Sequence, residues 1–237
     1  MGRSRKRGRI AALRRWVLKV LLSALLLGLG LTVLEVVLLR YLDPPCTTNM
    51  AWRRVKSLLS SRAYHRLRYE WRDLERISPH LRKAVLAGED QRFPSHHGFD
   101  FVELGNAVRD AVQAGQVRGA STITMQAART VFLWPDRTLL RKALEAYYTV
   151  LMELFWDKRR ILEVYLNTVD WGTGIMGAEA ASRSYFGIGS HRVTPHQAAL
   201  LAAILPNPHR WSPVRPGPRV LERQRRILRD MPHMPDV

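Results

Sequence analysis

Residues 138–155 read TLLRKALEAYYTVLMELF, the longest helical pattern after Ser78. Leu140, Leu144, Tyr147, Leu151 and Leu154 recur every three or four residues and form one stripe, which predicts an amphipathic helix. The reading extends outward from there. Upstream, Ser78-Pro79 is a helix start, with a capping residue followed by proline at the first position. Leu81, Val85 and Leu86 then recur at helical spacing up to Glu89. Residues 101–114 form a second helical pattern that stops at Gly115, and residues 121–132 form a third. Downstream, 159–167, 177–186, 195–204 and 218–228 continue the series. Few segments alternate with period two. The expected fold is therefore mainly α.

A chain of 237 residues can hold one domain with a sizeable core plus an appendage. Its hydrophobic fraction of 46% is ordinary, but its net charge of +18 is not. Such a surface attracts nucleic acid, anionic head groups or a phosphorylated substrate. The single cysteine, Cys46, excludes an internal disulfide framework, and no zinc-ligand spacing occurs.

Val20 to Leu39 is a 20-residue run with one charge, Glu35. As a helix it spans about 30 Å, a bilayer core. Eight cations precede it, from Arg3 to Lys19, which predicts a cytoplasmic amino terminus. No small-x-small cleavage site follows, so an uncleaved anchor is expected rather than a signal peptide. The rest of the chain would then lie outside the cytoplasm, which argues against a nucleic-acid partner. The expected divisions are a basic tail (1–19), an anchor (20–39), a membrane-proximal segment (40–73) and a domain (74–237). The membrane-proximal segment carries Trp52, Tyr64, Tyr69 and Trp71 among arginines, a pattern suited to a membrane–water interface or to a solvated linker helix.

Polar motifs interrupt the apolar helices. They are Glu89-Asp90-Gln91-Arg92-Phe93, then His97-Gly98-Phe99-Asp100, then the stretch 119–126 (GASTITMQ), then Arg141-Lys142-Ala143-Leu144-Glu145, and last 158–167 (KRRILEVYLN). Glu89 ends an apolar helix, where partial desolvation raises a carboxylate's pKa. Alone, it reads better as a surface acid at a helix end. The hydroxyls of Ser121, Thr122 and Thr124 meet a helix start, which suits either an anion site or a simple cap. Arg141 and Glu145 share a helix face, and such a pair is usually a solvated bridge worth under about 1 kcal/mol. His96 and His97 lack further ligands at metal-site spacing.

In order and spacing these motifs resemble the peptidoglycan glycosyltransferase family in its monofunctional, membrane-anchored form, from Leu74 to Pro213. The resemblance implies a lysozyme-like helical catalytic domain with a smaller membrane-proximal lobe, preceded by one transmembrane helix. It implies Glu89 as catalytic base and Glu145 as a second acid. Ser121, Thr122, Thr124, Gln126, Arg129, Arg141 and Lys142 would bind substrate and its diphosphate. Asp90, Phe93, His97, Gly98, Asp100, Lys158, Glu163, Tyr165 and Asn167 would support the motifs. Two departures stand out: Met125 replaces one of two adjacent glutamines, and Arg129-Thr130 replaces Lys-Asn. The segment 195–208 resembles the family's final motif and reads as core.

The implied substrates are lipid II and the growing glycan strand, at the bacterial inner membrane with the domain periplasmic. Penicillin-binding transpeptidases or division proteins are candidate partners. No cofactor is expected to be obligatory; a divalent cation, Mg2+ or Mn2+, could sit at the diphosphate with Glu145 as ligand. Neither Ser-x-x-Lys nor Lys-Thr-Gly occurs, so no transpeptidase activity is expected. The rival readings are a glycan-cleaving lytic transglycosylase and a non-catalytic membrane adaptor.

Overall fold

The computed structural model describes residues 2–59, 67–115, 119, 121–136 and 138–237; Tyr64 and Ala120 lie outside them. The chain forms two compact units, Met1–Leu42 and Asp43–Val237. The first is one helix, α1 (Gly2–Leu39). Its segment Leu13–Leu39 is long and apolar enough to cross a membrane, and leucines such as Leu21, Leu27 and Leu31 are exposed along it.

The second unit is mainly α. It contains α2 (Thr48–Leu59), α3 (Pro79–Glu89), α4 (Phe101–Ala114), α5 (Ile123–Phe132) and α6 (Leu139–Phe155). Then come α7 (Lys158–Thr168), α8 (Ala178–Phe186), α9 (Pro195–Ile204) and α10 (Pro218–Asp230). A small sheet, which the sequence pattern did not suggest, joins β1 (Arg68–Tyr69), β2 (Asp170–Gly172) and β3 (Ile175–Met176) in the order β1-β3-β2. Strands of two or three residues are too short to show an alternation. β1 runs parallel to β3, and β2 antiparallel to it.

Local chemistry accounts for where the helices start. Asp100, Thr122, Thr138 and Asp157 each accept a backbone N–H three residues on, at the starts of α4, α5, α6 and α7. Thr194 and Gln197 form a reciprocal capping box on α9. Ser78 departs from expectation. It precedes Pro79 at the start of α3, but its hydroxyl donates to the Val193 carbonyl at 2.9 Å instead of capping. The serine thus ties α3 to the segment leading into α9.

Two helical groups make the core. α3 packs on α9 and α10, and α5 packs on α6 and α7. α9 is small and apolar on nearly every side, with Ala198, Ala199, Leu201, Ala202, Ala203 and Ile204 all buried. The face that α6 buries differs from the stripe read in its sequence. Leu140 and Leu154 are 65% and 71% exposed, while Arg141, Glu145, Tyr148, Thr149, Leu151 and Met152 are buried. Tyr148 stacks on Phe132 of α5 with centroids 4.3 Å apart, and this aromatic contact orients the helix. A charged pair is thereby turned inward.

Candidate active site

The apolar face of α3 seats the helix on α9 and α10, and its last residue is Glu89. The Glu89 side chain is 12% exposed and opens on a cleft of about 660 Å³. Ser121, Thr122, Gln126, Arg223 and Arg226 line the cleft with it, as do Asp90, Arg92, Asp100 and Glu103.

One Glu89 oxygen accepts a hydrogen bond from Gln126 Nε2 at 3.0 Å. Gln126 Oε1 in turn accepts from the Tyr165 hydroxyl at 3.2 Å. Tyr165 is fully buried, and burial, followed by the charge of Glu89, pushes its phenol pKa far up. It therefore stays a neutral donor and orients the Gln126 amide with its N–H toward Glu89. The other Glu89 oxygen faces Arg223 Nη2 at 3.4 Å. Burial raises the Glu89 pKa, while Gln126, Arg223 and Arg129 oppose the rise.

Asp90 points away from the reacting position. Its carboxylate accepts the Ile123 backbone N–H at 2.9 Å and contacts His96 Nε2 at 3.0 Å. This joins the end of α3 to the start of α5. The Met125 N–H is likewise taken, by the Thr122 hydroxyl at 3.2 Å. The start of α5 was expected to offer its N–H groups to a substrate anion. Two of them are committed within the chain instead, and the carboxylate that this helix end favours is that of Asp90.

Several expected positions act behind the cleft. Thr124 is fully buried and its hydroxyl donates to Glu153 at 2.6 Å, so it does not face a ligand. Lys158 bridges the same Glu153 at 2.8 Å and the His96 carbonyl at 2.7 Å, and it lies 4.6 Å from the centre of the Phe93 ring. Gly98 sits at φ +85°, and a Cβ there would come within 2.7 Å of Thr149 Cγ2. That closeness lets its carbonyl accept the Thr122 hydroxyl at 2.6 Å. Asn167 is fully buried and exchanges hydrogen bonds with the Arg72 backbone, while Glu163 sits at Arg160, 3.3 Å away.

His97 is exposed; the neighbouring His96 is the histidine in the Asp90 network. Asp90, His96 and Asp100 bring ligand-type atoms within 4.8 Å of one another. Each is already engaged, since Asp100 caps α4 and pairs with Arg92 at 3.1 Å. These contacts make the cluster a hydrogen-bonded brace between the end of α3 and the starts of α4 and α5.

Arg141, Lys142 and Glu145 form a second cluster and do not line the cleft that Glu89 opens on. Glu145 is fully buried, with Arg141 on one oxygen and Lys142 on the other at 2.5 Å. The pair is thus not the solvated bridge that its spacing suggests: the Arg141 side chain is only 9% exposed. Both Glu145 oxygens are thus held by cations of its own helix. Arg129 lies close enough for its charge to act on both Glu89 and Tyr165.

Sequence reading missed Arg223 and Arg226. Arg223 stands 134 positions from Glu89, and its only local signal is a basic face on an amphipathic helix.

Comparison with known proteins supplies the kinship. A family model described as transglycosylase matches residues 56–232. The chain is 47% identical over 215 residues to a biosynthetic peptidoglycan transglycosylase of Xanthomonas campestris pv. campestris, covering 91% of this chain and 86% of that one. A protein of the same name from Shewanella oneidensis is 46% identical over 217 residues, covering 91% and 92%. Its namesake in Pseudomonas aeruginosa is 44% identical over 217 residues, covering 92% and 93%. With likeness of this degree over nearly the whole of each partner, the chain belongs to the transglycosylase family.

Proposed function

We propose that the protein is a peptidoglycan glycosyltransferase that polymerises lipid II into linear β-1,4 glycan strands. The observation that carries this reading is Glu89, a carboxylate only 12% exposed and of raised pKa, which opens on the cleft. Burial makes it a better proton acceptor, and the Gln126 amide and nearby arginines oppose its neutralisation.

Glu89 takes the proton of the acceptor's 4-hydroxyl. That oxygen attacks the anomeric carbon of the donor strand, the bond to undecaprenyl diphosphate breaks, and the configuration inverts. A base on the face opposite the leaving group needs no covalent intermediate, as in inverting glycosidases. Arg129, Arg141 and Lys142 are the cations assigned to the diphosphate, whose negative charge grows as the bond breaks. Arg226, already in the cleft, adds a fourth. Purified full-length protein in detergent, given labelled lipid II, should form polymer on a gel. Shortening of preformed strands without polymer growth would support a lytic enzyme instead.

The substrate is a membrane lipid, and Leu13–Leu39 would keep the enzyme beside it. The eight cations before residue 20 support an orientation with the amino terminus in the cytoplasm and the domain on the outer face of the inner membrane. Protease added to spheroplasts should digest the domain; complete protection would refute this orientation.

A further inference from the structure

Arg223 is built into the site more firmly than a surface cation. Its Nε donates to the Ala203 carbonyl at 3.2 Å, near the end of α9. Its Nη2 donates to the Gly88 carbonyl at 3.3 Å, one residue before Glu89. The same Nη2 reaches Glu89 Oε1 at 3.4 Å. Gly88 permits this approach, since a Cβ there would lie 3.1 Å from Ile227 Cδ1 of α10. Two backbone carbonyls therefore aim the guanidinium before it meets the carboxylate. Only a planar fork with several donors can serve all three oxygens.

The groups around Glu89 come from every neighbouring element. α5 supplies Gln126 and Arg129, α7 supplies Tyr165, and α10 supplies Arg223 and Arg226. Asp90 follows it directly, and Arg92, Asp100 and Glu103 also line the cleft. Asp90 is engaged with His96, and Arg92 with Asp100. Among the described residues, Arg223 is the one cation within 4 Å of Glu89. A separation of 3.4 Å exceeds the roughly 2.7–2.9 Å of a tight charged hydrogen bond. The contact is long, and the arginine's charge still favours the anion.

We propose that Arg223 is a positioning residue for the reaction, holding Glu89 ionised and aimed into the cleft without touching the reacting atoms. The proposal rests on the reading of Glu89 as the base. Charge effects on the pair agree with it. Burial drives Glu89 toward the neutral form and Arg223 opposes that, while burial lowers the Arg223 pKa and Glu89 raises it.

The test is the pH profile of kcat/KM for lipid II polymerisation by the full chain, beside thermal unfolding, for the parent, R223Q and R223K. The acidic limb reports the free enzyme's base. Losing the cation should move that limb about one pH unit upward in R223Q, so activity on the acidic side falls about tenfold and recovers at higher pH. R223K keeps the charge but not the fork. Its limb should stay in place while kcat falls several-fold at unchanged KM. An unmoved limb in folded R223Q overturns the proposal, as does a parent-like kcat in R223K. Either result would leave Arg223 a packing brace; a raised KM alone would make it a substrate contact. If R223Q does not fold, R223K decides alone. A Glu89→Gln enzyme that stays active would instead overturn the assignment of the base.

Discussion

Glu89→Gln should lower the initial rate of lipid II polymerisation by about 10²–10⁴-fold, the usual contribution of a general base. Its melting temperature should stay near the parent's. The amide matches the carboxylate in shape and can still meet Gln126. Removing a buried charge relieves a desolvation penalty, which offsets the lost attraction to Arg223. Arg223 keeps its two carbonyl acceptors, so no buried cation is stranded. In the parent, the raised Glu89 pKa has a definite sign. Activity should fall as pH drops through that pKa, because the protonated acid cannot accept the hydroxyl proton. A variant rate within about tenfold of the parent, below the range a base contributes, would remove Glu89 from the mechanism.

Arg141→Ala should lower turnover by on the order of 10²-fold if this arginine meets the leaving diphosphate. Its burial adds a second consequence. Glu145 would keep Lys142 but lose its buried partner, and breaking a buried pair typically costs about 3–5 kcal/mol. A lower melting temperature is therefore expected together with the rate loss, where an exposed pair would have left stability unchanged. Glu145→Gln should behave similarly, since it leaves Arg141 a buried cation without its counter-charge. Lys142→Ala is the control. Its side chain is 47% exposed, so stability should hold while any loss appears in turnover. Rates must be compared at a temperature where each variant is folded. A near-normal rate in folded Arg141→Ala would reduce the cluster to a structural brace.

The helices and most of their starts were legible in the residues themselves. Asp100, Thr122 and Thr138 cap helices through contacts three positions away, so neighbour identity suffices. The apolar run ending at Leu39 follows from length and composition in the same way. The transglycosylase kinship was also legible, because motif order survives without any knowledge of packing. The inward face of α6 was not. Periodicity marks a helix, but its partners choose which side is buried, and α6, packed on α5, buries Arg141 and Glu145 while Leu140 and Leu154 stay exposed. The choice between His96 and His97 depended likewise on which ring the turn after Phe93 carries to Asp90.

By itself, then, the sequence determined what short-range physics determines: the helices, the apolar segment and the order of the polar motifs. The tertiary structure decided which charges share a buried space. Arg223 of α10 reaches Glu89 across 134 positions where α9 and α10 pack closely on Gly88. Thr124 turns to Glu153, and Asp90 to the start of α5, because buried polar groups must find partners wherever packing places them. Such pairings join residues tens of positions apart, and hydrophobic spacing along one helix carries no information about them.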